Sequence, residues 1–159
     1  LEYHGLRAKD KSFNADFSTD LDENLPNLNG VPQDIGRVLL NLINNAFQAV
    51  LQKSRDSGEE FKPNVTVITK QVKSPLGDLG VQITIKDNGP GIPDDIKDKI
   101  FQPFFTTKPT GSGTGLGLSM SYDIVKAHGG ELKVENLPTN QEGKGGEGSE
   151  FIVRLPYTI

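Results

Sequence analysis

Three groups of residues have the types and spacing to do chemistry. The first is a run of amides at helical spacing: Asn41, Asn44, Asn45, Gln48 and Gln52, preceded in the same stripe by Asp34 and Arg37. At about 100° per residue, all of them fall within one face about 100° wide. Asparagine is a poor helix former, and a purely solvated face is more naturally built from Glu, Lys or Gln. Asn41 and Asn45, one turn apart, point to one place. Their carbonyl oxygens there suit a hard cation such as Mg2+, which shares its ligands with phosphates. A solvated polar face accounts for the stripe equally well, and on the stripe alone both readings stand.

The second group is Asp87-Asn88-Gly89-Pro90-Gly91. A carboxylate at the end of a strand, followed by glycines, faces a cleft whose backbone a ligand can approach. It accepts hydrogen bonds, so it suits an exocyclic amine such as that of adenine and repels phosphate. The same residues also make a good tight turn. The third group is Gly111-Ser112-Gly113-Thr114-Gly115-Leu116-Gly117, which opens a long amphipathic helix. Main-chain N–H groups converge at such a start, and the helix dipole adds positive potential there, which is the context that phosphate binding requires. Between the last two groups runs Phe101-Gln102-Pro103-Phe104-Phe105-Thr106-Thr107-Lys108. Its three aromatics read as packing anchors, and Lys108 as either a phosphate contact or a solvated lysine. His128, before Gly129-Gly130, reads as a helix C-terminal residue favoured by the dipole. His4 lies in a polar terminus and is assigned nothing.

The elements that must position these groups follow from periodicity and breakers. Residues 1–12 are polar, a tail or the end of a connector. Phe13–Thr19 alternates as a strand, and Asp20–Gly30 is a loop. Pro32–Lys53 is the strongest helix, with Ile35, Leu39, Leu42, Ile43, Ala46 and Val50 at helical spacing and Pro32 in its first turn. Ser54–Pro63 reads as a polar loop. Asn64–Val72 and Gly80–Lys86 form an antiparallel hairpin through a turn at Pro75-Leu76-Gly77-Asp78. Asp94–Phe101 is expected as a short helix and Gln102–Thr114 as a loop. Leu116–His128 is a second long helix, with Leu118, Tyr122 and Val125 on one face, ended by Gly129-Gly130. Glu131–Glu135 and Glu150–Leu155 are strands, separated by a flexible loop at Gln141–Gly148. This order predicts an α/β (α+β) two-layer sandwich: a mixed, largely antiparallel sheet with the helices packed on one face. No strand, Gly-rich turn and helix open the chain, which excludes a Rossmann or P-loop arrangement.

Composition narrows the function classes. The 159 residues suit one domain with a proper core. A net charge of −4 argues against a general nucleic-acid binder, although local donors still bind an anionic nucleotide. With no cysteine and only two histidines, disulfides, thiolate metal sites and multi-histidine zinc are excluded. No stretch approaches the ~20 apolar residues of a membrane span, and the first residues do not read as a signal peptide. A cytoplasmic domain is expected, or the cytoplasmic part of a membrane-bound sensor, with no membrane contact of its own.

Taken in order, these segments resemble the ATPase/kinase (GHKL) superfamily that includes DNA gyrase, the heat-shock chaperone ATPases, the MutL repair proteins and the bacterial sensor histidine kinases. Val38-Leu39-Leu40-Asn41-Leu42-Ile43-Asn44-Asn45-Ala46 resembles its N box, and Asp87-Asn88-Gly89-Pro90-Gly91-Ile92 its first glycine box. Ile100-Phe101-Gln102-Pro103-Phe104-Phe105 resembles the F box of histidine kinases, and Gly113-Thr114-Gly115-Leu116-Gly117-Leu118 the second glycine box. Gly148-Ser149-Glu150-Phe151, closing with Leu155-Pro156, is similar to the last strand. The likeness spans residues 13 to 157, and four boxes in order are specific where none is alone.

The resemblance implies ATP and Mg2+ as ligands. It implies that Asp87 binds the adenine amine with Gly91 helping through water, Gly89 and Ile92 belonging to the same box. Asn45 would hold Mg2+, and Asn41 would lie by the phosphates. Gly113, Thr114, Gly115, Leu116, Gly117 and Leu118 would cradle the phosphates, Thr107 and Lys108 would reach them, and Ser149 would join the nucleotide site. Asn41, Asn45 and Lys108 would be the catalytic set. Residues 93–113 would form an ATP lid, mobile without nucleotide.

Position 41 divides the superfamily. The gyrase, chaperone and MutL branches carry a glutamate there as general base for water, whereas Asn41 accepts no proton at neutral pH. The resemblance is therefore to the kinase branch. It implies 13–159 as an ATP-binding catalytic domain, with 1–12 a linker or the end of a preceding helical hairpin. The domain would donate the γ-phosphoryl group to a histidine on a separate phosphoacceptor/dimerisation domain, in a protein expected to be a homodimer that serves a response regulator indirectly. A superfamily ATPase, a serine kinase of the anti-sigma type and a non-catalytic nucleotide sensor are the rival readings.

Overall fold

A computed structural model of the chain describes residues 14–58, 60–73, 78–107, 115–138 and 148–157. Helix α1 is Pro32–Ser57, 26 residues long, with Val38, Leu42, Ala46, Phe47, Val50 and Leu51 buried along one side. Pro32 pre-sets its first turn, Asp34 sits near the positive end and Arg55 near the negative end. The helix continues past Lys53 because Ser54–Ser57 are polar without being breakers. Gly58, at φ 78°, ends it in a conformation open to glycine. Helix α2 is Gly117–Ala127, and Gly129 at φ 73° turns the chain back after it.

Five strands form one sheet: β1 Asp16–Asp20, β2 Asn64–Lys73, β3 Leu79–Asp87, β4 Glu131–Asn136 and β5 Ser149–Pro156. Their spatial order is β1-β2-β3-β5-β4. β1 runs parallel to β2, and every other pairing is antiparallel. The sheet is thus mixed and largely antiparallel, as the alternating patterns predict. The register stacks the apolar residues in rows. Val67, Ile85, Phe151 and Val134 are successive partners, as are Thr69, Ile83, Val153 and Leu132. These rows form the core with Val38, Leu42 and Val50 of α1 and Val125 of α2. α1 packs on β2 and β3, and α2 on β4 and β5. The other face is more polar. Arg154 Nε donates to Gln82 Oε1 at 2.9 Å there, and the Ser18 and Thr66 hydroxyls bond at 2.8 Å.

Two expectations need correction. Residues 94–101 form consecutive turns, not a helix. The bonds Ile96 N–H to Pro93 O, Lys99 to Ile96, Gln102 to Lys99 and Phe105 to Gln102 each span three residues, and Ile100 to Ile96 alone spans four. No continuous α-helical ladder forms. Of the three aromatics in this region, Phe101 is an anchor, stacked near Tyr122 at 5.5 Å and edge-on to Phe151 at 6.4 Å. Phe105 also packs on the core. Phe104 is 73% exposed, with a left-handed backbone at φ 64°, so it anchors nothing in the described residues. The turn at residues 74–77 and most of the 141–148 loop lie outside the described residues. Gly148, the last loop residue before β5, is buried directly against the Asp87 carbonyl oxygen, where no Cβ fits.

Candidate functional site: a cleft between a helix face, a helix start and a strand end

The sheet register sets the deepest part of the site. Asp87 closes β3 opposite Ser149 at the head of β5, and Ser149 stands opposite Asn136 at the end of β4. All three lie on the helix-facing side, in the row beyond Ile85 and Phe151. Asp87 is only 2% exposed. Gly89 N–H donates to its Oδ1 at 2.8 Å, and Ser149 Oγ donates to its Oδ2 at 3.1 Å. Burial pushes its carboxyl above the ordinary range, against the opposing pull of these donors and of the Lys53 charge. Ser149 N–H is a third donor to this carboxylate, and Asp87 lines the cleft.

The turn after Asp87 is pinned at three points. Asn88 accepts from Asn64 N–H at 2.8 Å and donates to Lys62 O at 2.8 Å, which ties it to the start of β2. Lys53 Nζ donates to the carbonyl oxygens of Asn88 at 3.2 Å and Gly89 at 3.5 Å. Asn136 grips Ile92 on both sides, accepting from its N–H at 2.8 Å and donating to its C=O at 2.7 Å. Gly89 is required because a Cβ there would stand 2.9 Å from the Ala49 Cβ of α1. Gly91 holds φ 78°.

Across an open cleft of about 1270 Å3 stands the amide stripe. Asn41, Asn44, Asn45, Gln48 and Gln52 all line it, and the last turn of α1 adds Arg55 and Asp56. Asp34 and Arg37, earlier in the same stripe, do not line it. Asn41 Nδ2 donates to Gly117 O at 3.2 Å and to Ser121 Oγ at 3.1 Å, and Ser121 Oγ donates to Gly117 O at 2.8 Å. The amide of Asn41 thus fastens α1 to the first turn of α2. Asn45 makes no hydrogen bond among the described residues, and its amide is open to the cleft.

Gly115, Gly117 and Leu118 form the far end of the cleft. α2 starts there with no side-chain cap, so N–H groups of its first turn are available to an anion. The F-box turn meets this start: Phe104 N–H donates to Gly115 O at 2.9 Å, and Gly115, at φ 70°, lies directly on the Phe104 backbone. Thr107 lines the cleft. Lys108, Gly113 and Thr114 lie outside the described residues, so of the second glycine box the structure brings Gly115, Gly117 and Leu118 to the cleft, with Leu116 between them not lining it. His128 closes α2 as its C-cap residue, as expected. Val31 N–H donates to its Nε2 at 3.1 Å, and its Nδ1 shares a hydrogen bond with Ile124 O at 2.8 Å. It ties the start of α1 to the end of α2.

Sequence reasoning missed Lys53, Asn136 and Ser121. Lys53 sits about 80° around the helix from Asn45, outside the amide stripe, and Asn136 follows an ordinary strand. Among the described residues no group of three or more His, Asp or Glu side chains gathers as a metal site. A cation that takes most of its ligands from phosphate and water needs no such cluster, and Asn45 supplies a fitting oxygen.

The profile of the histidine kinase-, DNA gyrase B- and HSP90-like ATPases matches residues 30–159, and the chain belongs to that family. Within it, the chain is an ATP-binding catalytic domain of the histidine kinase type. It superposes on the catalytic domain of the histidine kinase ThkA with a TM-score of 0.72 and 30% identity, covering 99% of this chain and 90% of that one. It is 38% identical over 141 residues to the signal transduction histidine-protein kinase AtoS of Escherichia coli strain K12, covering 89% of this chain and 20% of that protein. It is 40% identical over 137 residues to the sensor histidine kinase ZraS of the same organism, covering 86% and 24% respectively. The chain therefore spans about a quarter or less of these two relatives. No helix among the described residues is long and apolar enough to cross a membrane.

Proposed function

We propose that this domain binds Mg-ATP and donates the γ-phosphoryl group to a histidine carried by a separate phosphoacceptor domain of the parent protein, as part of two-component signalling. The nucleotide would lie with its base at Asp87 and its phosphates at the start of α2. Asp87, ionised and lined by donors, accepts the exocyclic amine of adenine and discriminates against the O6 acceptor of guanine. Asn45 offers its amide oxygen to Mg2+, which when bound neutralises charge on the phosphate oxygens. N–H groups at the start of α2 hold the phosphates against the helix dipole. The turns at 93–105, clasped to Gly115, cover the nucleotide side of the cleft. Thr107 and Lys108 belong to the same reading as phosphate contacts, and Lys108 with Asn41 and Asn45 as the set nearest the transferred group. Ser149 serves through Asp87 by fixing its Oδ2.

The observation that carries the kinase reading over the ATPase reading is the bonding of Asn41. Its Nδ2 donates to Gly117 O and Ser121 Oγ, a role no carboxylate performs and one that puts no proton acceptor at this position. Phosphoryl transfer relies on positioning and charge stabilisation more than on a protein base, and the acceptor histidine supplies the nucleophile. The relatives AtoS and ZraS, far longer than this chain, fit an acceptor domain outside it. The test uses γ-labelled ATP with the domain alone and with a separately produced phosphoacceptor hairpin. Acid-labile label appears on the hairpin and not on the domain. Steady release of inorganic phosphate by the domain alone, abolished in Asn41→Ala, would instead establish an ATPase.

A further inference from the structure

We propose that Lys53 is a positioning residue of the nucleobase site, locking the turn that follows Asp87 and standing as the counter-charge that keeps this carboxylate a competent acceptor. The inference rests on the reading of Asp87 as the group that takes the adenine amine. Asp87 is 2% exposed, and a carboxylate taken out of water ionises only with compensation. Three neutral donors, Gly89 N–H, Ser149 Oγ–H and Ser149 N–H, supply part of it. Among the described residues Lys53 is the cation whose field favours ionised Asp87; it adds to the larger pull of these donors and makes no direct ion pair.

The geometry is specific. Lys53 leaves α1 in its last third, half-buried, and its Nζ bridges the carbonyl oxygens of Asn88 and Gly89, at 3.2 and 3.5 Å. These are the two residues whose peptides aim the Asp87 turn, and Gly89 N–H is itself a donor to Asp87. The ring of Phe61 lies 4.9 Å from the same ammonium. Partial burial strengthens the field of the charge, and the cation–π contact holds it in place. Arg55, Asp56 and Asp94, the other charged groups lining this cleft, are not among the groups that shift Asp87. Lys53 is thus placed to act on recognition of the base and not on the phosphates.

The test compares ATP with purine riboside triphosphate, which lacks the exocyclic amine, by titration calorimetry in the presence of Mg2+. Wild type binds ATP about tenfold or more tightly than the amine-free analogue. In Lys53→Met, which keeps the apolar stem, ATP affinity falls about tenfold while affinity for the analogue is unchanged, so the preference collapses. Lys53→Arg restores most of it. Should the Met variant fail to fold, Lys53→Gln carries the same comparison, since it keeps a donor for the carbonyls and loses the charge. Equal weakening of both ligands, or an unchanged preference, overturns the role of Lys53. If wild type itself binds the two triphosphates equally, the reading of Asp87 fails, whatever the Lys53 variants do.

Discussion

Asp87 carries two opposed demands. Its burial favours the protonated form, and base recognition needs the ionised one. The sign of each consequence is fixed by the raised carboxyl pKa, which burial causes. The folded state then holds a proton that the unfolded state has released, so this group's contribution to stability is greatest below the unfolded value and is lost as pH rises through the raised one. Nucleotide binding runs the other way, weakening as pH falls through the raised value. We predict that ATP affinity drops on acidification at a pH above the ordinary carboxylate range, and that Asp87→Asn flattens this dependence. Calorimetric titrations across pH check it. Asp87, Asn45 and Ser149 were legible in the sequence because a family pattern fixes their offsets. Lys53 and Asn136 were not, because each acts on backbone atoms of a turn distant in sequence. A bond from Lys53 to Asn88 O, or from Asn136 to Ile92, leaves no periodic trace.

Among elements, the site depends on how α1 meets α2. Asn41 fastens their facing surfaces, and His128 ties Val31, at the start of α1, to the end of α2. Asn41→Ala removes two bonds and leaves the buried Ser121 hydroxyl without one donor. The expected loss is about 1–3 kcal/mol, visible as a lower denaturation midpoint together with weaker ATP binding. The second junction is the clasp between Phe104 and Gly115. A Cβ at position 115 would strike the Phe104 backbone, and φ 70° already disfavours any side chain there. Gly115→Ala is predicted to cost about 1–3 kcal/mol and to weaken nucleotide binding by detaching the F-box turn from the start of α2; thermal melts and ATP titration read the two effects. Both long helices and the β2–β3 hairpin were legible because their apolar periods are long and clean. The segment 94–101 misled because its acidic start and spaced isoleucines imitate a helix. In the structure, Ile96, Ile100 and Phe101 are drawn to the core by tertiary packing, and the backbone bonds through successive turns.

At the scale of the molecule, one helix-facing row of the sheet, Asp87-Ser149-Asn136, forms the floor of the cleft, and the amide stripe of α1 forms its wall. The mixed sheet was foreseeable from the order of patterns. The parallel pairing of β1 with β2 was not, since five residues of alternating sequence carry no direction. The chain matches the histidine kinase catalytic domain nearly end to end and only a fraction of AtoS and ZraS. We accordingly propose it as the donor half of a phosphoryl transfer. Everything in that account depends on one nucleotide site organised by Asp87. The direct measurement is a calorimetric titration of the domain with ATP and Mg2+, beside its Asp87→Asn variant. Loss of a hydrogen bond to a charged group is worth about 1.5–3 kcal/mol, so the account predicts one ATP per wild-type chain and a loss of affinity of roughly 10- to 100-fold in the variant. A wild-type domain that binds no ATP, or a variant that binds it as tightly, would contradict it.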